Sequence, residues 1–325
     1  MTKAIRIHQT GGPEQMRWEE VTVGAPGPGQ ALLRQTAVGL NYIDVYHRTG
    51  LYPVPALPSV LGLEAAGVVE AVGEGVTAVR PGERVAYASP PIGAYAEARL
   101  MPADRLVAIP DDIDDVQAAG MMLQGMTAQY LLRRTYRVQP GDAILVQAAA
   151  GGVGQILCQW ARHLGATVIG TVGSDEKAKI AREAGCAHVI VYSRENFAEK
   201  VREITGGAGV AVVYDGVGKS TFDGSLDSLA MLGMLVSYGN ASGPVPPFEP
   251  AILSQKGSLF FTRPTLMHYT AKAEDLQASA RELFDVVGSG AVRIAVSQTY
   301  PLAEAAQAHR DLEARKTTGS TVLLP

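Results

Sequence analysis

The chain predicts an α/β protein of two domains, a β-rich first domain and a doubly wound parallel sheet. Three observations carry this prediction. Short β-like runs separated by Gly and Pro fill residues 1–124, strands alternate with amphipathic stretches from Asp142 onward, and a glycine-rich turn joins the first of those strands to its helix. With 325 residues and 47% hydrophobic content, both domains have the material for a core. A net charge of -4 supplies no basic field for nucleic acid or an anionic membrane, so small-molecule chemistry is the expectation.

Taken in order, Met1 to His8 alternates polar and apolar residues as a strand does. No apolar run long enough for a leader or a membrane span follows, which predicts a cytoplasmic protein. Gly24-Ala25-Pro26-Gly27-Pro28-Gly29 and Arg80-Pro81-Gly82-Glu83 read as turns, and residues 67–73 and 83–87 as half-buried strands. Residues 115–134 are helical in pattern. Strand 143–147, helix 154–164, strand 167–172 and helix 176–184 then form βαβ units, and strands at 188–192, 210–214, 234–238 and 258–262 complete a six-stranded sheet. A helix over 273–287 and a last strand over 319–324 follow that sheet and are expected to rejoin the first domain. The predicted domains are therefore 1–124, completed by 265–325, and 125–264. Cys158 and Cys186, in helical or helix-terminal sequence, read as reduced core thiols.

The predicted nucleotide site begins where the strand 143–147 runs into Ala148-Ala149-Ala150-Gly151-Gly152-Val153-Gly154 and a helix. Gly151 admits the backbone to a pyrophosphate, Gly154 lets helix and strand pack closely, and the helix N-terminus faces the anion. Ala149 stands where the first glycine of the pattern usually falls. About 20 residues on, the second strand ends in Gly173-Ser174-Asp175-Glu176-Lys177, where small residues, a hydroxyl and a cation suit a 2′-phosphate. NADPH is favoured over NADH. Asp175 and Glu176 leave NADH open, and Ser174 is equally suited to capping the next helix.

Both halves of the chain resemble a known family. Val38-Gly39-Leu40-Asn41-Tyr42-Ile43-Asp44, Leu61-Gly62-Leu63-Glu64-Ala65-Ala66-Gly67, the 150–154 turn, Val213-Tyr214-Asp215-Gly216-Val217-Gly218, Ser237-Tyr238-Gly239-Asn240-Ala241-Ser242-Gly243 and Thr262-Arg263-Pro264 resemble zinc-free quinone oxidoreductases of the zeta-crystallin type, within the medium-chain dehydrogenase/reductase superfamily. The resemblance implies a GroES-like catalytic domain beside a Rossmann domain, NADPH as cofactor, a homodimer, and quinone reduction in a cleft between the domains. Asn41 and Leu63 fall where zinc-dependent members present cysteine and histidine. The four-cysteine structural zinc lobe has no counterpart between Ala88 and Leu100, and six scattered histidines and two cysteines offer no ligand cluster.

By position, the resemblance implies that Asn41, Tyr42, Tyr46 and Thr127 border the nicotinamide and that Tyr192 covers the adenine or its phosphate. It assigns Val217, Gly218, Tyr238, Gly239, Asn240, Ala241 and Ser242 to the nicotinamide ribose and diphosphate. Ala150, Gly151, Gly152, Val153 and Gly154 fall under the pyrophosphate, Phe261 and Arg263 reach over from the last strand, and Thr318 and Gly319 close from the C-terminal loop. Tyr46 is the first candidate donor to the quinone oxyanion, with Asn41 and Tyr52 beside it, and Tyr52-Pro53-Val54-Pro55 forms a rim. Reduction of α,β-unsaturated ketones or aldehydes is the alternative activity. A crystallin-like or RNA-binding role is the alternative of another kind, opposed by the lack of a basic stripe and by 6% aromatic content.

Overall fold

A computed structural model describes residues 2–325; the expected first strand thus begins on Met1, which lies outside the described residues. The strands and helices run β1 (Thr2–Ile7), β2 (Met16–Val21), β3 (Gln30–Leu40), α1 (Tyr42–Thr49), β4 (Ser59–Val60), β5 (Glu64–Val72), β6 (Arg84–Ala88), β7 (Ala98–Pro102), β8 (Val107–Ala108), α2 (Asp115–Ala119) and α3 (Met122–Tyr130). They continue with β9 (Ala143–Val146), α4 (Gly152–His163), β10 (Thr167–Val172), α5 (Asp175–Glu183), β11 (His188–Val191), α6 (Phe197–Ile204), β12 (Val210–Asp215), α7 (Phe222–Asp227), β13 (Leu229–Ser237), α8 (Ala251–Gln255), β14 (Phe260–Thr262) and α9 (Leu266–Tyr269). The last elements are α10 (Ala273–Gly288), β15 (Val296–Pro301), α11 (Ala305–Glu313) and β16 (Ser320–Leu324).

The chain divides into two compact units, one of residues 1–126, 270–284 and 294–325 and the other of residues 127–269 and 285–293. In the first unit, β2-β1-β4 form one sheet and β15-β16-β3-β5-β6-β8 another, with β7 also paired to β3. The final strand β16 pairs antiparallel with β3, Leu40 opposite Thr321, which fixes the tail beside the strand that leads into α1. Ile5, Leu33, Val38, Leu61, Val85 and Met101 are buried in its core. Gly67 is required by close approach: a Cβ there would lie 2.4 Å from the Arg34 carbonyl on the paired strand.

The second unit holds a six-stranded sheet in the order β11-β10-β9-β12-β13-β14, all of whose pairings are parallel. Strand order reverses between β9 and β12, and such a switch point opens a crevice at the carboxyl ends of the strands. Leu145, Ile169, Ile190, Val213 and Leu235 fill the core, the near-continuous apolar runs expected of strands covered on both faces.

The largest departures from the sequence expectation fall in a helix and a strand. The helical stretch 115–134 breaks at Gly120, which ends α2 before α3 begins, and closes in a π-helical turn over Leu131–Thr135. Strand β13 begins at Leu229 instead of residue 234, because Leu229 pairs with Val210 and Met234 with Val212, so the intervening residues bulge outward. Met231 and Leu232 are exposed there, and Leu232 has φ 61°. Cys158 and Cys186 are both free and buried, their sulfurs 3.3 Å apart. Among the described residues, no helix is long and apolar enough to cross a membrane.

Candidate functional site

The glycine-rich turn lies at the carboxyl end of β9. Ala148 takes a left-handed φ of 54°, its carbonyl accepts from Gly151 N–H at 2.9 Å, and α4 starts at Gly152. A Cβ on Gly154 would lie 2.3 Å from Ala148 O, so only glycine brings the helix this close. The first N–H groups of α4, from Gly152 through Gly154, have no intrahelical acceptor and are available to an anion. Ala149 is fully buried, with its N–H on Thr171 O, so the alanine serves the turn in place of glycine by packing inward.

Beneath the turn lies a buried polar network that ties three strand ends together. Asp215, at the end of β12, accepts from Val217 N–H (2.8 Å), Gly218 N–H (3.0 Å), Thr221 Oγ1 (2.7 Å) and Ser225 Oγ (2.8 Å). Gln147 Nε2 donates to Ser225 Oγ at 3.1 Å, and Thr171 Oγ1 donates to Gln147 Oε1 at 2.5 Å. Four donors satisfy the carboxylate, which makes its burial tolerable and fixes the 217–218 loop. That loop is laced to residues 239–243: Ser242 N–H donates to Val217 O and Lys219 N–H to Gly243 O, while a Cβ on Gly239 would lie 2.4 Å from Gly216 O. Arg263 Nη1 donates to Ser237 O at 2.8 Å, and its Nη2 meets the Asn240 side-chain oxygen at 3.1 Å with that amide turned to accept.

At the end of β10, Ser174 Oγ accepts from Lys177 N–H at 3.4 Å, so the serine caps α5 as its residue type allows. A Cβ on Gly173 would lie 2.8 Å from the Tyr192 hydroxyl, which puts the half-exposed Tyr192 over this turn. Asp175 forms a two-pronged ion pair with Arg194 at 2.7 and 2.8 Å, both residues exposed. Arg194 escaped the sequence reading; its only signal was a cation two residues after Tyr192.

In the first unit, Asn41 precedes α1 and is buried. Its Nδ2 donates to Glu64 Oε2 at 2.6 Å and its Oδ1 accepts from Gln124 Nε2 at 3.2 Å. Glu64 Oε1 accepts from Leu123 N–H at 2.7 Å, and Gly39 leaves room for the carboxylate, since a Cβ there would lie 2.3 Å from Glu64 Oε2. Burial pushes the Glu64 carboxyl up to about 8 against the pull of those N–H donors. Leu63 is 3% exposed and offers no ligand atom. On and after α1 three tyrosines cluster: the Tyr42 and Tyr46 ring centroids are 6.1 Å apart, and Tyr46 and Tyr52 meet edge-on at 5.1 Å.

A second buried network anchors α1 from behind. Asp44 Oδ2 accepts from Asn41 N–H (2.9 Å) and from the Tyr95 hydroxyl (3.0 Å), and Tyr95 meets His309 Nε2 at 3.0 Å. Arg48 Nη1 donates to His309 Nδ1 at 3.0 Å and both its terminal nitrogens hold Glu313 at 2.9 Å. Arg48 leaves His309 Nδ1 only the acceptor role, so Nε2 carries the proton donated to Tyr95. Burial first, and the Arg48 charge second, hold His309 down to about 3, while burial raises Asp44 to about 7.

The structure thus places Asn41, Tyr42, Tyr46 and Tyr52 together in the first unit, and Ala150 to Gly154, Val217, Gly218 and the 238–242 loop together at strand ends of the second. Thr127 is buried on α3 in the second unit. The Phe261 ring packs between Phe222 and Phe248, at 6.1 and 5.2 Å, within the core of its unit. Thr318 offers its carbonyl to Gln298 Nε2 at 3.1 Å, and Gly319 has φ 58° where a Cβ would strike Ala295 O. Glu64, Gln124, Gln147 and Asp215 were missed as functional residues; isolated in sequence, they meet their partners only on folding. Among the described residues, no group of three or more His, Cys, Asp or Glu side chains is placed to hold a metal ion.

The geometry defines a two-unit α/β protein in which one unit carries a glycine turn at a helix N-terminus and the other a buried amide network and a cluster of tyrosines. Residues 27–111 match the alcohol dehydrogenase GroES-like domain and residues 152–292 the zinc-binding dehydrogenase family. The chain is 54% identical to a quinone oxidoreductase of Pseudomonas aeruginosa over 100% of both proteins, and 53% identical to a 2-haloacrylate reductase of a Burkholderia species over 100% of this chain and 99% of that one. A crystal structure of Escherichia coli quinone oxidoreductase complexed with NADPH superposes with a TM-score of 0.98 at 46% identity, covering 99% of this chain and 100% of that one. The chain belongs to the quinone oxidoreductases of the medium-chain dehydrogenase/reductase superfamily.

Proposed function

We propose that this protein reduces quinones with NADPH and without a metal. The observation that carries the reading is a glycine turn that brings the α4 N-terminus against the end of β9, in a chain whose resemblance puts Asn41 and the buried Leu63 at two zinc-ligand positions. NADPH, when bound, supplies a hydride from C4. Gly151 to Gly154 would hold its pyrophosphate, the 217–218 and 239–242 loops the adjoining ribose and diphosphate, and Ser174, Lys177, Tyr192 and Arg194 the 2′-phosphate end. Tyr46 would donate a hydrogen bond to the oxygen that gains charge, with Asn41 and Tyr52 beside it, and solvent would supply the one proton that completes the hydroquinone.

The relative crystallised with NADPH supports this cofactor. The relative that is a 2-haloacrylate reductase supports a second reading, reduction of an electron-poor carbon–carbon double bond in the same site. The acidic charge balance favours a small-molecule enzyme over an RNA binder. We also assign the cytoplasm as its compartment and a homodimer as its state, joined along edge strand β14, where Phe260 is 56% exposed next to the exposed Met231 and Leu232.

Chelator-treated protein mixed with NADPH or NADH and either 1,4-naphthoquinone or a 2-haloacrylate tests the proposal through loss of the reduced-nicotinamide absorbance. NADPH-preferring naphthoquinone turnover is expected. Activity that needs added zinc overturns the metal-free reading, and turnover of the haloacrylate alone transfers the assignment to the second one. Light scattering at micromolar concentration tests the dimer.

A further inference from the structure

Asn41 is gripped at both ends of its side chain. Its Nδ2 faces Glu64 and its Oδ1 faces Gln124, while Gln124 Oε1 lies 2.7 Å from Ser320 Oγ, itself 2.6 Å from Gly120 O. Each of these four side chains is no more than 6% exposed. They form one continuous chain of hydrogen bonds from β5 to β16, anchored at its first end by the Leu123 N–H on Glu64.

An amide donates at one end and accepts at the other, so two amides in series have only two fully bonded orientations. In the first, Ser320 donates to Gln124, Gln124 to Asn41, and Asn41 to Glu64. In the second every bond is reversed: Glu64 donates to Asn41, Asn41 to Gln124, and Gln124 to Ser320, whose single proton goes to Gly120 O. Ser320, placed between two acceptors, can close either one. A carboxylate only accepts, so an ionised Glu64 admits the first orientation alone.

We propose that Glu64 and Gln124 are positioning residues that set the direction of the Asn41 amide, so that its second Nδ2 proton serves as a donor to the substrate oxygen. The proposal rests on the quinone-reductase reading of the same site. In the first orientation Nδ2 has two protons and one acceptor, Glu64, which leaves one proton for a ligand. Reversal would put the Asn41 carbonyl oxygen in that place, and a lone pair there repels the oxyanion that an N–H stabilises. Gly39 serves the same end, since any side chain would displace Glu64.

Glu64→Gln is the direct test. Its amide oxygen keeps the Leu123 N–H, its amide nitrogen must then face Asn41, and the whole chain reverses with every bond retained. The groups that face Glu64 are Asp44 from α1, Tyr87 from β6 and Tyr95; burial keeps both tyrosines protonated, so Asp44 is the other carboxyl that titrates near neutrality. The comparison is made at about pH 9, where both carboxyls are ionised. The variant is expected to lose about tenfold in kcat on 1,4-naphthoquinone, with the Kd for NADPH within about twofold and no fall in Tm.

In the cofactor-free protein, the Asn41 side-chain amide resonances of a proton–nitrogen correlation spectrum are expected to move in the variant. Wild type is expected to approach the variant as pH falls to about 6. A variant that matches wild type at about pH 9 in both kcat and Asn41 resonances overturns the proposal. If Glu64→Gln fails to fold, wild type at about pH 9 and about pH 6 takes its place, and Asn41 side-chain resonances that do not move between the two overturn the proposal. Wild type that reduces no quinone defeats the functional reading; the Asn41 resonances then still decide the positioning.

Discussion

The cradle of the second unit and the Asn41 site of the first are built in opposite ways. The cradle is made of backbone: a left-handed alanine, a glycine pressed against a carbonyl, a helix terminus, and two loops tied to each other by main-chain bonds. The Asn41 site is made of side chains, with Glu64, Gln124 and Ser320 drawn from three distant segments. A backbone site depends on steric room and strand order, whereas a side-chain site depends on which atom of each group donates. Removing space should therefore disable the first, and altering one polar atom the second.

The largest effect is expected from Gly154→Ala. The added methyl meets Ala148 O at 2.3 Å, so α4 must shift; calorimetry should show NADPH affinity reduced by about a hundredfold and thermal unfolding a stability loss of about 1–3 kcal/mol. An unchanged affinity would show that helix and turn are not held as closely as described. Asp215→Ala leaves the Val217 and Gly218 N–H groups and two hydroxyls without their acceptor. Denaturant unfolding should register a loss of about 3 kcal/mol, with NADPH binding weakened as the 217–218 loop relaxes.

Lys177→Ala should raise the KM for NADPH about tenfold while leaving that for NADH nearly unchanged; equal changes for the two cofactors would remove Lys177 from the 2′-phosphate end. In the other unit, Tyr46→Phe keeps the edge-on contact with Tyr52 and deletes only the hydroxyl. A several-fold fall in kcat at constant NADPH affinity is expected, and constant kcat would leave Tyr46 a packing residue.

The smallest effect lies in the pH dependence of stability. Glu64, raised to about 8, and Asp44, raised to about 7, bind more protons folded than unfolded, so the stability they contribute is present at low pH and lost as pH rises through those values. His309, held near 3, works in the other direction: the folded protein binds fewer protons, and its contribution is lost as pH falls from about 6.5 toward 3. Glu64→Gln should flatten the decline in Tm between about pH 4.5 and 8 and leave the acid limb in place.

Much of the second unit was legible because its rules are local. A strand, a glycine turn and a helix in sequence located the turn that ends at Gly154, and the βαβ rhythm gave all six strands within a few residues. The errors fell where tertiary pairing overrides pattern: residues 230–233 interrupt the register between β12 and β13, and Gly120 divides a stretch whose apolar period runs on through it. In the first unit, Asn41, Tyr42, Tyr46 and Tyr52 were named through the resemblance of the segments around α1. Their partners were not, since nothing local distinguishes Glu64, Gln124 or Ser320 from any other polar residue.

The sequence by itself determined the class of fold, the order of the parallel strands' segments, and the glycine turn between β9 and α4. Each of these is set by residue type and spacing along a continuous piece of chain. Only the tertiary structure decided that a carboxylate, two amides and a hydroxyl line up through Asn41, and that Asp215 gathers the strand ends beneath the cradle. Those groups are joined across long stretches of chain, and a buried donor finds its acceptor only after the sheets that carry them have paired.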